Sequence, residues 1–432
     1  MKKIFIQSLG CRASQADGAA IQASLEERGF SATHEPAAAD LVVVNTCTVT
    51  HSADIDARRI IRGLHRDHPR AEIVVTGCYA QRAPGELAEI EGVRWVIDNS
   101  QKSRIAEIVS AAAEDHHSQV HLGDVAAQRA FTAAPVGGCC EDRTRPNLKV
   151  QDGCSNRCAF CIIPEVRGPS RSATLESVIA QVRDLASRYG EVVLTGINLG
   201  RWGRDLQPPL RFAGLLREIL DRTAIRRLRI SSVEPMDWSD ELFHLMASEP
   251  RIATHVHMPL QSGSDAILKR MYRKYRTRHY ASRLELASRL LPDAAIGADV
   301  MTGFPGETDT DFQQTLDFID QQPFTYLHVF TYSERPGTRA SELAGRVAVE
   351  IRRERTRVLR DLSSKKHLAF RRRMIGKSLS AVTLEQRMSA VTSNYLTVAL
   401  AVPRDPHQIV DLSIDGISET GLRERNRLAI LP

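Results

Sequence analysis

The sequence lacks any hydrophobic run long enough to cross a membrane. Its apolar stretches, such as residues 41–44 and 73–75, have the length of a strand, whereas a membrane-spanning helix needs about 20 apolar residues. The first residues carry two lysines followed by a three-residue apolar run, which is too short for the core of a signal peptide. The sequence therefore predicts a cytoplasmic protein with no membrane partner.

Internal repeats and extended low-complexity segments are also absent. A chain of 432 residues that is 42% hydrophobic is expected to fold into two or three domains. The net charge of +6 mildly favours a polyanionic partner. Eight cysteines in a reducing compartment point to metal or redox chemistry rather than to disulfides, provided that their spacing supports it.

The order of strand-length and helix-length segments predicts an α/β protein of three domains. Residues 1–117 alternate strands with helices, which is the pattern of an open parallel sheet. Residues 140–372 hold six further strand–helix units, which fit an open partial barrel better than a complete eightfold one. Residues 375–432 show short alternating runs, which predict a small antiparallel β-barrel. The stretch from 111 to 147 is rich in Ala, His, Gly and Pro and is predicted to be an irregular linker.

The predicted strands are short. In the first domain they cover 3–9, 41–46, 73–76 and 94–97, in the second 148–151, 192–195, 228–231, 255–258, 296–301 and 326–330, and in the third 379–384, 395–400, 409–414 and 428–431. Residues 352–377 carry eleven Lys or Arg against two acids. Part of this basic stretch has one apolar face at helical spacing.

Three cysteines lie close together at the end of the first strand of the second series. Cys154, Cys158 and Cys161 are separated by three and then two residues, and no fourth cysteine lies nearby downstream. A structural zinc site takes four protein ligands, whereas three cysteines leave one iron of a four-iron cluster open. The spacing therefore indicates a [4Fe–4S] cluster that binds S-adenosylmethionine and cleaves it to a 5′-deoxyadenosyl radical. A zinc knuckle completed by histidine is the less favoured alternative.

Polar residues follow four strands of the same series, at the edge where the sites of such barrels gather. The segments are 195–198, 231–234, 259–263 and 302–307. The residues that we expect to bind the cofactor are Thr195, Gly196, Glu234, Gln261 and, within the strand of residues 296–301, Asp299. Each of them taken alone is equally well explained as a helix cap or a turn residue, but four such strand ends together favour a cofactor pocket.

A second set of cysteines is spread along the first domain. Cys11, Cys47 and Cys78 each follow one of its first three predicted strands. Because parallel strands point the same way, all three thiols are expected at the edge of the sheet where such sheets bind ligands. The alternative is three unrelated buried cysteines. We favour a second three-cysteine cluster, which carries an atom such as sulfur to a substrate held between the domains.

Two cysteines remain outside both sets. Cys139 and Cys140 are adjacent in the predicted linker. Because adjacent thiols cannot easily both ligate one cluster, we interpret them as incidental, with a minor redox role as the alternative.

Motifs along essentially the whole chain resemble the radical S-adenosylmethionine methylthiotransferases. They read SLGCRASQAD, VVNTCTVTHSAD, VVTGCYAQR, KVQDGCSNRCAFCIIP, RISSVEP, HMPLQSGSD and DVMTGFPGETD. The resemblance implies two [4Fe–4S] clusters, one on Cys154, Cys158 and Cys161 that cleaves S-adenosylmethionine, and one on Cys11, Cys47 and Cys78 that delivers a methylated sulfur. It also implies that the last domain is a TRAM-like RNA-binding barrel, with the basic stretch before it contacting phosphates.

Further strings are most similar to the branch of this family that modifies threonylcarbamoyladenosine in tRNA. They read NTCTVT, TGCYAQ, VLTGINLG and YLHVFTYSERPGT. The resemblance implies methylthio transfer to C2 of that base at tRNA position 37, in the anticodon loop. It also implies a reducing protein such as a flavodoxin or ferredoxin, with the sulfur donor unidentified. The alternatives are the isopentenyladenosine branch, a ribosomal-protein aspartate as target, and, from a different class, a zinc-containing RNA-binding protein without catalysis.

The sequence departs from the family pattern at two places. Ser14 stands where family members usually have asparagine, and Pro169 stands in a segment that usually reads Arg-Gly-Arg-Ser-Arg. All six cysteine ligands are present, so we expect activity to be retained with different local contacts at these two positions.

Overall fold

The computed structural model describes residues 1–111, 117–131 and 144–426. The first domain is a parallel sheet with the strand order β2-β1-β3-β4-β5-β6. Its strands are β1 Lys3–Ser8, β2 Ser31–Ala32, β3 Leu41–Thr46, β4 Glu72–Gly77, β5 Val93–Ile97 and β6 Gln119–His121, and its helices are α1 Arg12–Glu26, α2 His51–Asp67, α3 Cys78–Arg82, α4 Pro84–Ala88 and α5 Ile105–Ala111. Short 3₁₀ turns cover Pro36–Ala38 and Lys102–Arg104.

Strand β3 lies in the middle of this sheet, and both of its faces are covered by helices. Its residues are buried throughout, as expected for a continuous Val-rich run in a parallel sheet. Helices α2, α3 and α4 pack on one face of the sheet, and α1 and α5 pack on the other. Each aliphatic side chain buried in this way contributes about 1.5–3 kcal/mol, so the edge of the sheet is a firm support for the loops that follow its strands.

A short strand lies where the sequence predicts an irregular linker. Strand β6 pairs in parallel with β5 and completes the edge of the first sheet. The prediction of irregular structure is therefore wrong for these residues. The sequence offers little signal for this strand, since three residues are too few to show an alternating pattern.

The second domain is an open arc made of two sheets. Their strand orders are β10-β9-β7-β8 and β11-β12-β13, and a single bridge between Leu228 and Ile252 connects them. The strands are β7 Asn147–Asp152, β8 Arg171–Ser172, β9 Glu191–Gly196, β10 Arg227–Ile230, β11 His255–His257, β12 Ala295–Thr302 and β13 Tyr326–Thr331. The helices are α6 Ile163–Arg167, α7 Leu175–Ala186, α8 Phe212–Arg222, α9 Asp240–Ser248, α10 Asp265–Arg270, α11 Thr277–Leu290, α12 Asp309–Gln321 and α13 Val349–Arg373, with 3₁₀ turns at Leu199–Arg201, Pro235–Asp237 and Arg339–Glu342. One hydrophobic core runs under both sheets, so the predicted partial barrel is confirmed.

The third domain is a closed five-stranded barrel with the order β14-β15-β16-β18-β17. Its strands are β14 Ser378–Thr383, β15 Ser389–Thr392, β16 Thr397–Ala399, β17 Ile409–Ile417 and β18 Leu422–Glu424. All pairs are antiparallel except β16 with β18, which confirms the predicted small β-barrel. The predicted strand at 428–431 lies outside the described residues.

The basic stretch of residues 352–377 covers most of helix α13 and the turn that follows it. Leu359 of this helix is buried in the core of the second domain, and Phe370 is buried in the core of the third. The helix therefore connects the two domains firmly. In the described part of the chain, no helix has both the length and the apolarity that a membrane span requires.

Candidate functional site: two cysteine triads around one cavity

The first centre lies at the carboxyl edge of the first sheet. Strands β1, β3 and β4 are parallel neighbours, and one cysteine follows each of them. Cys11 is the N-cap residue of α1, Cys47 follows β3 directly and Cys78 begins α3. We call these three residues the auxiliary triad. A side chain on Gly10 would begin 2.8 Å from Sγ of Cys47, so the glycine before Cys11 allows two of the loops to approach each other closely.

Burial controls the protonation of the auxiliary triad. Burial, together with the neighbouring Cys78 and Cys11, raises the pKa of Cys47 to about 12. Such a thiol is protonated at neutral pH, and metal binding is what deprotonates a buried thiol of this kind. A free nucleophile needs the opposite shift, a lowered pKa, so Cys47 fits a metal ligand better.

A buried charge cluster lies behind the auxiliary triad and joins the first two domains. Its members are Asp17, Lys102, Lys149, Asp152, Arg167 and Arg171, and all their side chains are less than 15% exposed. Arg167 donates from Nε to Sγ of Cys78 at 3.3 Å. Four cations against two carboxylates leave an excess of positive charge, which favours an anionic centre such as a thiolate-bound cluster.

Asp17 is the carboxylate with the most partners in this charge cluster. Its oxygens lie 2.8 Å from Nζ of Lys102 and 2.9 Å from Nη2 of Arg167, and they also pair with Lys149. Burial alone would raise the pKa of Asp17, but the three cations hold it well below its usual range. Because Asp17 is on α1 while Lys149 and Arg167 belong to the second domain, this carboxylate fixes how the two domains meet.

The second centre is the loop after strand β7. It carries Cys154, Cys158 and Cys161, which we call the barrel triad. The main chain holds the loop in place, since N–H of Cys154 donates to the carbonyl of Gly168 at 3.0 Å and N–H of Cys161 donates to that of Cys158 at 3.1 Å. Burial, with the other two cysteines adding to it, raises the pKa of Cys161 to about 12. This thiol too requires a metal to become a thiolate.

Nitrogen donors contact the sulfurs of the barrel triad. Arg273 donates from Nη1 to Sγ of Cys158 at 3.1 Å, and Asn198 lies with its Nδ2 3.6 Å from Sγ of Cys154. Arg273 also pairs with Glu234. Such hydrogen bonds stabilise thiolate ligands and tune the potential of an iron–sulfur cluster. The donor sets of both triads therefore fit three-cysteine iron–sulfur clusters.

One cavity of about 570 Å³ opens between the two triads. Its wall includes Cys11 of the auxiliary triad. It also includes Asn198, which contacts Sγ of Cys154, and Glu234, which pairs with Arg273 beside the barrel triad. Arg12 of the first domain and Tyr395 of the third also line it. The volume lies in the usual range of small-molecule sites, so a ligand held there lies between the two centres.

Four of the five residues predicted to bind the cofactor line this cavity, namely Thr195, Gly196, Glu234 and Asp299. The fifth, Gln261, is not part of its wall. Gln261 is buried with a φ of 67°, and its N–H donates to the carbonyl of Asp299 at 2.8 Å. The main chain of Gln261 therefore joins the loop after β11 to strand β12.

Sequence reasoning missed Arg167 and Arg273, which contact the cysteine sulfurs. Arg167 lies 89 residues from Cys78 in the chain, and Arg273 lies 115 residues from Cys158, so no local spacing announces either contact. The sequence did offer a signal for Arg167, because it is the first residue of the segment 167–171 that usually reads Arg-Gly-Arg-Ser-Arg in the family. The interpretation of Cys139 and Cys140 stays a prediction, because both lie outside the described residues.

The contacts of Ser14 show how one departure from the family pattern is accommodated. Its hydroxyl oxygen lies 3.7 Å from Sγ of Cys11 and accepts a hydrogen bond from Nη2 of Arg167 at 3.3 Å. A serine at this position therefore still connects the auxiliary triad to the charge cluster. At the second departure, the carbonyl of Pro169 accepts from Arg171 at 3.0 Å.

Two family descriptions match the two domains that carry the triads. Residues 3–98 match "Uncharacterized protein family UPF0004", and residues 148–319 match "Radical SAM superfamily". The "Threonylcarbamoyladenosine tRNA methylthiotransferase MtaB" of Aquifex aeolicus is 37% identical over 397 residues, which are 92% of this chain and 96% of that protein. The protein of the same name from Bacillus subtilis is 38% identical over 365 residues, 84% of this chain and 80% of that protein. The "tRNA-2-methylthio-N(6)-dimethylallyladenosine synthase" of Desulfitobacterium hafniense is 31% identical, with 87% of this chain and 85% of that protein covered.

Among solved structures, the fold is similar to that of the radical S-adenosylmethionine methyltransferase TsrM from Kitasatospora setae. The TM-score is 0.58 at 16% identity, over 79% of this chain and 77% of that chain, which is a likeness of fold alone. The sequence relatives cover nearly the whole chain, and the family matches fall on the two domains with cysteine triads. The chain therefore belongs to the radical S-adenosylmethionine methylthiotransferase family, whose enzymes use S-adenosylmethionine and two [4Fe–4S] clusters.

Proposed function

We propose that this enzyme adds a methylthio group to C2 of N6-threonylcarbamoyladenosine in the anticodon loop of tRNA, at position 37. The observation that carries the proposal is the cavity of about 570 Å³ between the auxiliary triad and the residues next to the barrel triad. A base held in that cavity lies within reach of both centres. The names of the relatives that are 34–38% identical to this chain support the choice of base.

The six cysteines are the proposed metal ligands. The barrel triad holds the cluster that binds S-adenosylmethionine, and the auxiliary triad holds the cluster that carries the sulfur. When bound, the two clusters and S-adenosylmethionine supply a carbon-centred radical and a methylated sulfur, which together replace an unreactive C–H bond by a C–S bond. Acid–base catalysis offers no route here, because C2 of the base carries no acidic proton.

The residues of the chain position and isolate the reactants. Thr195, Gly196 and Glu234 lie on the side of the cavity near the barrel triad, where we propose that they orient S-adenosylmethionine. Burial raises the pKa of Glu234, and Arg273 opposes this rise. The contact between the two side chains anchors this wall. The proposed cofactor contacts of Gln261 and Asp299 stay predictions. Apolar side chains, among them Val49 and Ile163, form part of the wall.

The third domain and helix α13 are the proposed RNA-binding surface. Arg353 and Lys365 are among the exposed cations of this helix, which suits phosphate contact. Arg355 is not available for this role, because it is buried and paired with Glu307 and Asp309. Unpaired bases of a loop are the part of an RNA that proteins read most readily.

Other parts of the functional assignment are proposals of the same kind. They are the domain limits 1–117, 140–372 and 375–432, the first of which leaves out strand β6 of the same sheet, the cytoplasmic location, and a flavodoxin or ferredoxin as reductant. The sulfur donor is not identified.

Nucleoside analysis of a strain that lacks the gene tests the proposed substrate. We expect threonylcarbamoyladenosine to accumulate without its methylthio group, and the wild-type gene to restore the modification. Loss of the methylthio group from isopentenyladenosine instead would assign the enzyme to the isopentenyladenosine branch. Loss of the group from a ribosomal protein would assign it to the branch that modifies a ribosomal-protein aspartate.

Anaerobic reconstitution tests the two proposed iron–sulfur clusters against the zinc-containing alternative. We expect about eight irons per chain from two four-iron clusters, and release of 5′-deoxyadenosine on reduction. Zinc in place of iron would instead identify a non-catalytic RNA-binding protein.

A further inference from the structure

One end of the cavity is formed by side chains of three neighbouring strands. His257 of β11, Asp299 of β12 and His328 of β13 all line it. Nδ1 of His328 lies 3.3 Å from Oδ1 of Asp299, and Nε2 of His257 lies 3.6 Å from the same oxygen. The side chain of His257 is 9% exposed, and its Nε2 has no hydrogen-bond partner among the described residues. A buried polar atom without a partner points to a missing ligand.

Tyr395 from the third domain closes this end of the cavity. Its ring stacks on His255 with the ring centres 4.4 Å apart and the planes 11° from parallel. Its hydroxyl accepts a hydrogen bond from Nη2 of Arg12 at 3.3 Å. Arg12 directly follows Cys11 of the auxiliary triad, so the first and third domains meet above the strands of the second.

Arg12 brings a positive charge that no carboxylate of the described residues neutralises. It is half-buried and lines the cavity, and within residues 1–111, 117–131 and 144–426 it forms no ion pair. After burial, the charge of Arg12 is among the causes that lower the pKa of His255 and His257. A lone guanidinium beside neutral histidines attracts an anionic group, and it disfavours a metal cation at the same place.

Asp299 and His328 supply the complementary acceptors. The Nδ1–H of His328 donates to Asp299 when the ring is neutral, which leaves Nε2 of His328 as an acceptor. Oδ2 of Asp299 is also available to accept a hydrogen bond, since the side-chain contacts of Asp299 within the described residues go to Oδ1. The same end of the cavity therefore offers one strong donor for an anion and acceptors for N–H or O–H groups.

We propose that Arg12, Asp299 and His328 recognise the substituent on N6 of the target adenosine, and that this substituent is anionic and carries N–H and hydroxyl groups. The inference rests on the proposed function and assigns to the substrate the Asp299 that the sequence assigned to the cofactor. A threonylcarbamoyl group has this chemistry, because it consists of a threonine joined through a urea linkage. Its carboxylate pairs with Arg12, and its N–H and hydroxyl groups donate to Asp299 and His328.

The same arrangement rejects an apolar substituent. An isopentenyl group has no polar atom, so it would cover Arg12 and Asp299 without replacing their water. Buried sites built to hydrogen-bond a substrate reject an analogue without the polar group by roughly 10⁴–10⁵-fold. Because Arg12 is half-buried, we expect a smaller preference of about 100-fold.

Binding to two synthetic anticodon stem-loops tests the proposal with the anaerobic holoenzyme. One stem-loop carries threonylcarbamoyladenosine and the other carries unmodified adenosine at the same position. The wild type is expected to bind the modified loop at least about 10-fold more tightly, the effect of one charge-assisted hydrogen bond. Arg12→Met and His328→Phe are expected to remove this preference without weakening binding of the unmodified loop, and Arg12→Lys is expected to keep part of it. Arg217→Met, at an exposed ion pair with Glu241, is the control that keeps the full preference.

Three results would overturn the proposal. One is a preference for the modified loop that survives in both Arg12→Met and His328→Phe. Another is a wild-type protein that binds both loops equally although it methylthiolates threonylcarbamoyladenosine in tRNA, in which case the proposed function stands and this inference fails. A third is one zinc ion per chain that is lost in His328→Phe, since His257, Asp299 and His328 would then be a metal site. Iron content measured in each variant separates these results from damage to the cluster beside Arg12.

Discussion

The joint between the first two domains depends on Asp17. This carboxylate is 2% exposed and pairs with Lys102, Lys149 and Arg167. An Asp17→Asn substitution keeps the volume but leaves these cations with Asp152 as the remaining carboxylate of the charge cluster. Removing one partner of a buried ion pair costs about 3–5 kcal/mol, and we expect the free energy of unfolding to fall by that amount. Anaerobic urea unfolding at neutral pH measures it.

The pH dependence of this loss provides a second, independent check. The three cations hold the pKa of Asp17 well below its usual range, and the ordinary value in an unfolded chain is about 3.9. The stabilisation is therefore complete above about pH 5 and is lost as the pH falls below about 4. The difference between wild type and Asp17→Asn should shrink in that acid range and stay constant above it.

An exposed ion pair provides the matched control for this experiment. Asp56→Asn breaks a pair with Arg59 in which both side chains are more than half exposed, and it should change the stability by less than about 1 kcal/mol. If Asp17→Asn were equally mild, or if its effect were the same at about pH 3 and at neutral pH, the account of the buried charge cluster would be refuted.

Three further predictions concern the triad, the RNA surface and the cavity. Gly77 has a φ of 97° and no room for a side chain, so Gly77→Ala should destabilise the protein by about 1–3 kcal/mol and lower its iron content. The control Gly63→Ala, in a helix with open space around it, should be neutral or stabilising by up to about 1 kcal/mol. Arg353→Gln should weaken tRNA binding and reduce the slope of log K against log salt by about 0.7–0.9, whereas Arg217→Gln should leave the slope unchanged. Burial lowers the pKa of His257 to about 4 from about 6.5, so the protein should lose stability as the pH falls through that window. The His257→Gln variant should lose less stability, and equal losses in urea unfolding would contradict the lowered pKa of His257.

The cysteine triads were predictable because their signals are local or follow from topology. The barrel triad lies on one short loop, so its spacing is visible in the sequence. The auxiliary triad needed a single added step, that parallel strands end at the same edge, and β1, β3 and β4 are indeed parallel neighbours. The ten strands predicted for the first two domains are found to within one residue at each end, because runs of Val, Ile and Leu mark buried strands clearly. The two- and three-residue strands β2, β6 and β8 were missed, since so few residues show no pattern.

Contacts between domains were not predictable from the sequence. The hydrogen bond from Arg12 to Tyr395 joins residues 383 positions apart, and no period or spacing connects them. Asp17 reads as an ordinary polar residue of an amphipathic helix, and its burial becomes visible once the second domain is packed against α1. Strand β15 was missed for a different reason. Its four residues begin with Ser389 and end with Thr392, so only two apolar residues lie between them.

The most direct test of the account is to follow both products of one anaerobic reaction in wild type and in a Cys78→Ala variant. The holoenzyme, S-adenosylmethionine, a reductant and tRNA with threonylcarbamoyladenosine are incubated together, and the nucleosides and 5′-deoxyadenosine are quantified by mass spectrometry. We predict that the wild type forms the 2-methylthio nucleoside, and that the variant still releases 5′-deoxyadenosine but forms no methylthio product. Methylthio product from the variant, or none from an iron-replete wild type, would contradict the two-triad account.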